Sequence, residues 1–535
     1  MRIKLSFVIL ISVVLLIKEA QADEIVEARP KIGLTLSGGG AKGLIYIPLL
    51  KVIDSLGIKI DYLTGTSMGG VIGGLYAIGY TGVELDSIAR EIDWVHIIRD
   101  KLYMSKVNME EKEEYGRYLV EVKGNTWKPT LPKGVIEGHN ILTFLNQLTS
   151  DYLYIDDFSD FKIPFKCFTA DLVSGVPLPM SSGNLALALR TTMSIPTVFS
   201  PIDTNDMILV DGGLLKNFPV EDVKEMGADF IIGANCSGSE MLKEEMNTLF
   251  KIFERMMNVN ATENYPKQKE LCDILIDFSE ALKYLNIGAS DFGRVEEILD
   301  LGETIVANFI PILAQVAEQQ RVFMPQLPDS YVNWRANHAV KLDDIKTSVH
   351  DNEFRAIIKN KIEFEDPDHA TNYEINRAVD RIYGTRFFDK VYYYYDYSED
   401  SIPKLVYKTE GANKFSYKLG LHYDPELSAG ISLNFTYRRL GKMTSRALLS
   451  VDVSDNPKVR SGYQVYFGNS SWWLNTEHFF SSIKQTSYAK DGVLGTYKNI
   501  YASANLSVNW TIGQNNLVSI GSQIEYLNRK SFLKA

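Results

Sequence analysis

Two glycine-rich motifs and one aspartate carry the chemistry that can be read in this 535-residue chain. The stretch Asp61-Tyr-Leu-Thr-Gly65-Thr66-Ser67-Met68-Gly69-Gly70 sets a serine in Gly-x-Ser-x-Gly, between an apolar run and a Gly/Ala-rich helical pattern. That is the pattern of a nucleophile elbow, a sharp strand-to-helix turn whose small neighbours, Gly65 and Gly69, let the serine Oγ stand clear of the sheet. The helix starting there turns its positive end toward developing negative charge. One strand earlier comes Leu36-Ser37-Gly38-Gly39-Gly40-Ala41-Lys42-Gly43. Its glycines permit positive φ and close approach, so that backbone N–H groups converge on an anion. Phosphate cradling and oxyanion stabilisation both use such a site. The loop lacks the Gly-Lys-Ser/Thr ending of a Walker motif, and although Gly38, Gly40 and Gly43 have dinucleotide-fingerprint spacing, Asp61 is a poor ribose partner. The third element, Met207-Ile-Leu-Val210-Asp211-Gly212-Gly213, ends an apolar strand on an aspartate, which is expected at the carboxyl edge of the sheet. In isolation Asp211-Gly212 reads more simply as a turn.

A Ser-His-Asp triad needs a histidine after the aspartate in the α/β-hydrolase order. Those that follow Asp211 lie at or beyond the end of the motif-bearing region, and His139 is the best of the rest. A Ser-Asp dyad needs none. A triad would show a rate step at the histidine's protonation near pH 6–7, whereas a dyad is expected to lack it. No His/Cys/carboxylate cluster has ligand spacing, so neither metal nor cofactor is expected. The net charge of −11, with no long basic run, argues against nucleic acid as a partner. Cys167, Cys236 and Cys272 lie beside apolar strands and read as small buried hydrophobes. The run Glu110-Glu-Lys-Glu-Glu114 reads as a solvated helix face.

The elements that must position these groups alternate short apolar runs with amphipathic ones from Lys31 to about Arg321, the pattern of an α/β domain with a mostly parallel sheet between helices. Strands are expected at Ile32–Leu36, Tyr62–Leu63, Phe165–Ala170, Ile208–Val210, Phe230–Ala234 and Ile274–Ile276. Helices are expected at Gly43–Leu56, Ser67–Ile78, Asn140–Leu148 and Val295–Ala317. At the N-terminus, Arg2 and Lys4 precede an uncharged run from Leu5 to Ile17 and an Ala-Gln-Ala ending, which reads as a secretory signal over 1–22.

After a Pro-bearing break at 323–330 the pattern changes. A linker over 326–340 leads to an α+β module over 341–411, with an amphipathic segment Tyr373–Ile382 and strands at Tyr392–Tyr397 and Lys404–Lys408. Beyond Phe415 the hydrophobic period is two, as in Ile431-Ser-Leu-Asn-Phe-Thr-Tyr437 and Ala502-Ser-Ala-Asn-Leu-Ser-Val-Asn-Trp510. About seven such strands over 412–535 suit an antiparallel transmembrane β-barrel, fewer than the eight of the smallest common single-chain barrels. The barrel is therefore expected to be truncated or to close by assembly of chains, which leaves a homo-oligomer open. Trp472, Trp473, Phe479 and Phe480 are candidate girdle residues. A soluble β-sandwich alternates in the same way.

Together the three motifs resemble the patatin-like phospholipases over about residues 31–300. That family's oxyanion loop corresponds to Gly38, Gly39, Gly40, Ala41, Lys42 and Gly43, with Lys42 where arginine is commoner and the planar fork is lost. Its elbow corresponds to Gly65-Thr66-Ser67-Met68-Gly69 and its Asp-Gly-Gly to Asp211-Gly212-Gly213. Leu189–Pro196 is similar to a family segment lining the site, and Asn217–Val220, just past Asp211, to another. The module over 341–411 resembles a POTRA domain and the tail an outer-membrane surface-antigen barrel, an order similar to the patatin-like autotransporters. The resemblance implies a 23–325 hydrolase domain that cleaves phospholipid acyl esters at a membrane surface. Ser67 would be its nucleophile, Asp211 its base and the glycine loop its oxyanion hole. It also implies an exported outer-membrane protein, with the catalytic domain periplasmic by default or surface-exposed. With an ordinary carboxylate pKa of about 4, Asp211 would be a weak base, so most of the rate would come from the loop and the helix dipole. Competing readings are an outer-membrane assembly or transport protein with an inactive hydrolase domain, and a soluble carboxylesterase with a triad.

Overall fold

A computed structural model of the chain describes residues 29–124, 127–128, 133–204, 206–237, 243–245, 255, 259, 264–323 and, with interruptions, 340–532. The signal-peptide expectation at 1–22 and nearly all of the 326–340 linker lie outside the described residues. The N-terminal half is an α/β fold. Five parallel strands stand in the order Ile274–Asp277, Phe230–Asn235, Ile32–Leu36, Tyr62–Thr66 and Phe165–Asp171, with register pairs such as Leu36 to Gly65 and Thr66 to Phe168. Ile208–Asp211 and Ile202–Asp203 extend the sheet antiparallel, and Val176–Met180 folds back on Phe165–Asp171. Helices cover the faces, so a strand such as Ile32–Leu36 is buried at all five positions and reads as one apolar run.

The expected strands fall where their apolar runs lie, each within a few residues. The expected helix Val295–Ala317 is instead two, Val295–Ala307 and Ile310–Phe323. Pro311 has no N–H to give the carbonyl of Ala307, so the first helix stops and Pro311 sits in the first turn of the next. Ile208–Asp211 brings Asp211 to the carboxyl edge of the sheet as expected, on a strand that runs antiparallel to its neighbour: Asp211 stands opposite Thr169, one residue past the Phe168–Thr66 pair that precedes Ser67.

The small module packs one helix, Asn372–Tyr383, capped by a Thr371/Glu374 box, on the antiparallel pair Lys390–Asp396 and Lys404–Glu410. Ile375, Val379 and Ile382 meet Val391, Tyr393, Leu405 and Tyr407 in its core. After it, seven strands between Phe415 and Phe532 form one antiparallel sheet in chain order. Its two faces are inverted relative to a soluble sheet. Leu421, Tyr423, Leu433, Leu506 and Val508 are exposed, Leu421 at 62%, whereas Ser416, Asn434, Thr436, Arg438, Arg446 and Asn509 are buried. Of the girdle candidates, Trp472 and Phe480 lie on the exposed face. Trp473 is buried and donates Nε1–H to Thr511, and Phe479 stands opposite Arg460. Consecutive strand residues point to opposite faces, so the four could not share one.

The hydrolase half itself meets the polar face at Arg438, Arg446 and Arg460. Val120–Gly124 pairs antiparallel with Phe415–Asp424, an eighth strand that the sequence did not announce. The acidic run before it is not a solvated face. Glu111 lies between Arg446 (2.7 Å) and Arg438 (3.3 Å), and Glu114 pairs with Arg460 (2.8 Å), with both carboxylates nearly inaccessible. Burial alone would raise the Glu111 pKa, but the guanidinium groups of Arg446 and Arg438 outweigh it and hold the carboxyl below its usual range. Removing one partner of such a buried network typically costs about 3–5 kcal/mol. Glu111→Ala is therefore expected to undock this segment in the full chain, seen as faster tryptic cleavage at Lys112 and Arg117. Wild-type cleavage kinetics would show that the pairing does not hold it.

Candidate active site

Ser67 follows the strand Tyr62–Thr66 and opens the helix Ser67–Ala77. Its φ of 52° lies in the left-handed region, the strained turn that a nucleophile elbow requires. Small neighbours make the turn feasible. A Cβ on Gly69 would stand 2.4 Å from the Ser37 carbonyl, so only glycine lets the elbow helix rest on the glycine loop. The Ser67 N–H donates to Thr192 Oγ1 at 3.0 Å, and Thr192 in turn donates to the Phe168 carbonyl.

Ser67 Oγ donates to Asp211 Oδ2 at 2.7 Å. Asp211 Oδ1 accepts the Gly213 N–H at 2.8 Å, and the Asp211 N–H donates to the Ser194 carbonyl at 2.9 Å. Both side chains are nearly closed to solvent, at 5% and 2% exposure. Burial pushes the Asp211 carboxyl up to about 7, against the opposing pull of the Ser67 hydroxyl and the Gly213 N–H. The sequence-based expectation of a weak base near pH 4 is therefore corrected: removal from water makes Asp211 a far stronger one. The same shift puts a dyad's own pH step where a histidine would place one, so the expected distinction between dyad and triad by pH profile is lost.

The glycine loop lies against this pair, and a Cβ on Gly38 would stand 3.0 Å from Ser67 Cβ. Its amides are not equivalent. The Gly38 N–H donates to the Asn217 carbonyl (3.1 Å) and the Ala41 N–H to the Ala289 carbonyl (2.9 Å). Gly40, at φ 59°, leads into a 3-10 helix over Gly40–Ile45 that carries Lys42 and Gly43. Among the described residues, Gly39 and Gly40 are the loop positions whose N–H groups make no hydrogen bond. They are the loop amides left available to an incoming anion.

The structure brings Ser67, Asp211, Gly65, Gly69, Gly212, Gly213 and the loop together. It does not bring His139, which is buried, hydrogen-bonded to Thr143 and stacked on Tyr383 of the small module. Among the described residues no histidine side chain bonds to Ser67 or Asp211. Thr192, Ser194 and Asn217 are contributors to which the sequence assigned no role. They lie inside the two flanking segments, but nothing in their types shows that they meet the elbow.

The sequence model of the family described as patatin-like phospholipase matches residues 34–224. The chain is 25% identical over 309 residues to a lysophospholipase NTE1 of Kluyveromyces lactis, covering 54% of this chain and 20% of that protein. It is also 25% identical over 301 residues to lysophospholipase nte1 of Aspergillus fumigatus, covering 52% and 18%. The chain thus spans about a fifth of the length of these curated relatives. Among solved structures, VipD from Legionella pneumophila aligns at 13% identity and TM-score 0.29, covering 52% of this chain and 67% of that one. BamA from Haemophilus ducreyi lacking POTRA domains 1–3 aligns at 16% identity and TM-score 0.29, covering 36% of each.

Because Asp211 takes its proton more readily folded than unfolded, its ionisation opposes folding. The cost is absent below the ordinary carboxylate pKa near 4 and complete once pH passes about 7. Asp211→Asn, a neutral isostere, is expected to raise the first unfolding temperature of the full chain by several degrees at pH 8 and to leave it nearly unchanged at pH 4. Thermal unfolding at the two pH values checks this, and a variant less stable than wild type at pH 8 would contradict it.

Proposed function

We propose that this chain is a serine acyl hydrolase of the phospholipase type, acting through a Ser67–Asp211 dyad and an oxyanion hole in the Gly38–Gly43 loop. The observation that carries the reading is the 2.7 Å hydrogen bond from Ser67 Oγ to a buried Asp211 carboxylate. Ionised Asp211 takes the proton as Oγ attacks the ester carbonyl, and the acyl carbon becomes bonded to Oγ. Gly39 and Gly40 N–H groups hold the tetrahedral oxyanion while the helix Ser67–Ala77 adds its dipole. Asp211 then returns the proton to the leaving alcohol, activates water, and the acyl-enzyme is hydrolysed. A base titrating near 7 removes much of the mismatch with the serine hydroxyl, so the loop need not supply nearly all of the rate. Phospholipid as the substrate is supported by the family match over 34–224 and by the names of the lysophospholipase relatives.

The attachment is read from the second half. A sheet that exposes Leu421, Tyr423, Leu433 and Leu506 while burying Arg438 and Arg446 suits strands with lipid outside and a polar interior. We assign residues 23–325 to the hydrolase, 341–411 to a POTRA-like module and 412–535 to outer-membrane barrel strands of an exported protein. Salt bridges Lys123–Asp389 (2.5 Å) and Arg386–Glu121 (2.9 Å) favour a hydrolase domain on the same membrane side as that module. An assembly or transport role with a lapsed hydrolase is disfavoured by the complete Ser67–Asp211–loop geometry.

Fatty-acid release from phosphatidylcholine vesicles by the full chain tests the enzyme reading. Wild type is expected to turn over, Ser67→Ala to lose covalent turnover, and Asp211→Asn to fall at least 1,000-fold, on the order seen when a catalytic base is removed. The wild-type rate is expected to rise with pH toward a plateau above about 7, as Asp211 ionises. Undiminished release by either variant would refute the dyad.

A further inference from the structure

The segment from Lys216 to Pro219 touches all three motifs. Thr66 and Thr64 of the elbow strand donate their hydroxyls to the carbonyls of Lys216 (2.8 Å) and Pro219 (3.0 Å). Between them the Asn217 carbonyl accepts the Gly38 N–H. The Asn217 side chain, 6% exposed, donates from Nδ2 to Ser237 Oγ at 2.5 Å and reaches the Gly38 carbonyl at 3.4 Å. Ser237 is tied in turn to Asn235, the last residue of a central strand. On its other side Asn217 Oδ1 fills the space over two glycines: a Cβ on Gly38 would stand 2.5 Å from it and one on Gly213 2.8 Å. One side chain therefore wedges between the oxyanion loop and the turn that carries Asp211.

A glycine loop has no side chains with which to fix itself, yet oxyanion donors act only when held in place before the charge develops. We infer that Asn217 is the positioning residue of the oxyanion hole. Anchored through Nδ2 to Ser237, its main chain takes the Gly38 N–H out of play and sets the register in which Gly39 and Gly40 present theirs beside Ser67. The inference rests on the hydrolase reading above and adds to it the residue that decides which amides serve. An asparagine that merely filled space would affect stability and nothing else.

The full chain in detergent, as wild type, Asn217→Ala, Asn217→Asp and Ser237→Ala, is assayed on a water-soluble short-chain ester. Each protein is also titrated with a trifluoromethyl ketone and with the corresponding alcohol. Ser67 Oγ adds to the ketone carbon, its proton passes to Asp211, and the carbonyl oxygen becomes the oxyanion of a hemiketal; the alcohol forms no such bond. Loss of one oxyanion donor typically costs about 100- to 1,000-fold in kcat. Asn217→Ala and Asn217→Asp are expected to lose about 100-fold in kcat with KM within about twofold, and to lose ketone affinity in parallel with alcohol affinity unchanged. Ser237→Ala, which leaves Asn217 in place, is expected to move the same two quantities in the same direction by about tenfold, and it carries the test if the Asn217 variants do not fold. Wild-type kcat and ketone affinity in the variants would overturn the role, whatever their unfolding temperatures. So would an equal loss of ketone and alcohol affinity. A wild-type protein that hydrolyses no ester would overturn the hydrolase reading itself, and this role with it.

Discussion

A carboxylate held out of water beside a serine hydroxyl is the constraint around which the first half of this protein is arranged. Asp211 is 2% exposed and is satisfied by the Ser67 hydroxyl and the Gly213 N–H. Desolvation makes it a stronger base than an exposed aspartate and, by the same free energy, a liability to the fold. Keeping it there requires an antiparallel strand that brings Asp211 level with Thr169, a Ser194 carbonyl to receive its N–H, and a serine fixed in a strained conformation opposite. The strained Ser67 and the buried carboxylate are local costs borne by an extensively packed α/β core, the general bargain of a functional site.

The glycine loop meets the opposite problem. Its backbone must come close to the elbow, which excludes side chains, so its rigidity has to come from neighbours. Ala289 and Asn217 each take one of its amides, and the Tyr46 hydroxyl donates to the Ser37 carbonyl at 3.0 Å from beneath. Among the described residues, the loop amides left without a partner are those of Gly39 and Gly40. Chemistry and packing are thus set by the same few hydrogen bonds.

The second half solves burial with its faces reversed. Charged and amide side chains line the covered face and aliphatic ones the open face, so the guanidinium groups of Arg438, Arg446 and Arg460 call for carboxylates. Glu111, Glu113 and Glu114 of the hydrolase half supply most of them, Glu477 of the sheet itself supplies one to Arg460, and Val120–Gly124 adds a strand to the same sheet. The two halves are tied by burying one another's charge, while Lys123 and Glu121 reach the small module between them.

Read alone, the sequence determined whatever depends on neighbours along the chain. The elbow around Ser67, the glycine run, the Asp-Gly-Gly turn, the parallel strands and the period-two tail are local patterns, because turn geometry needs particular residues at fixed spacing and faces need a fixed hydrophobic period. The tertiary structure alone decided what depends on distance. The Glu110–Glu114 run looks solvated until arginines more than 300 positions later close over it. The strand of Asp211 has no direction until its register is known. Trp472 and Trp473 look alike until the pleat separates them. The strength of Asp211 as a base and the place of Asn217 belong to this second group, since desolvation and the choice of free amides are properties of a surrounding that no stretch of sequence contains.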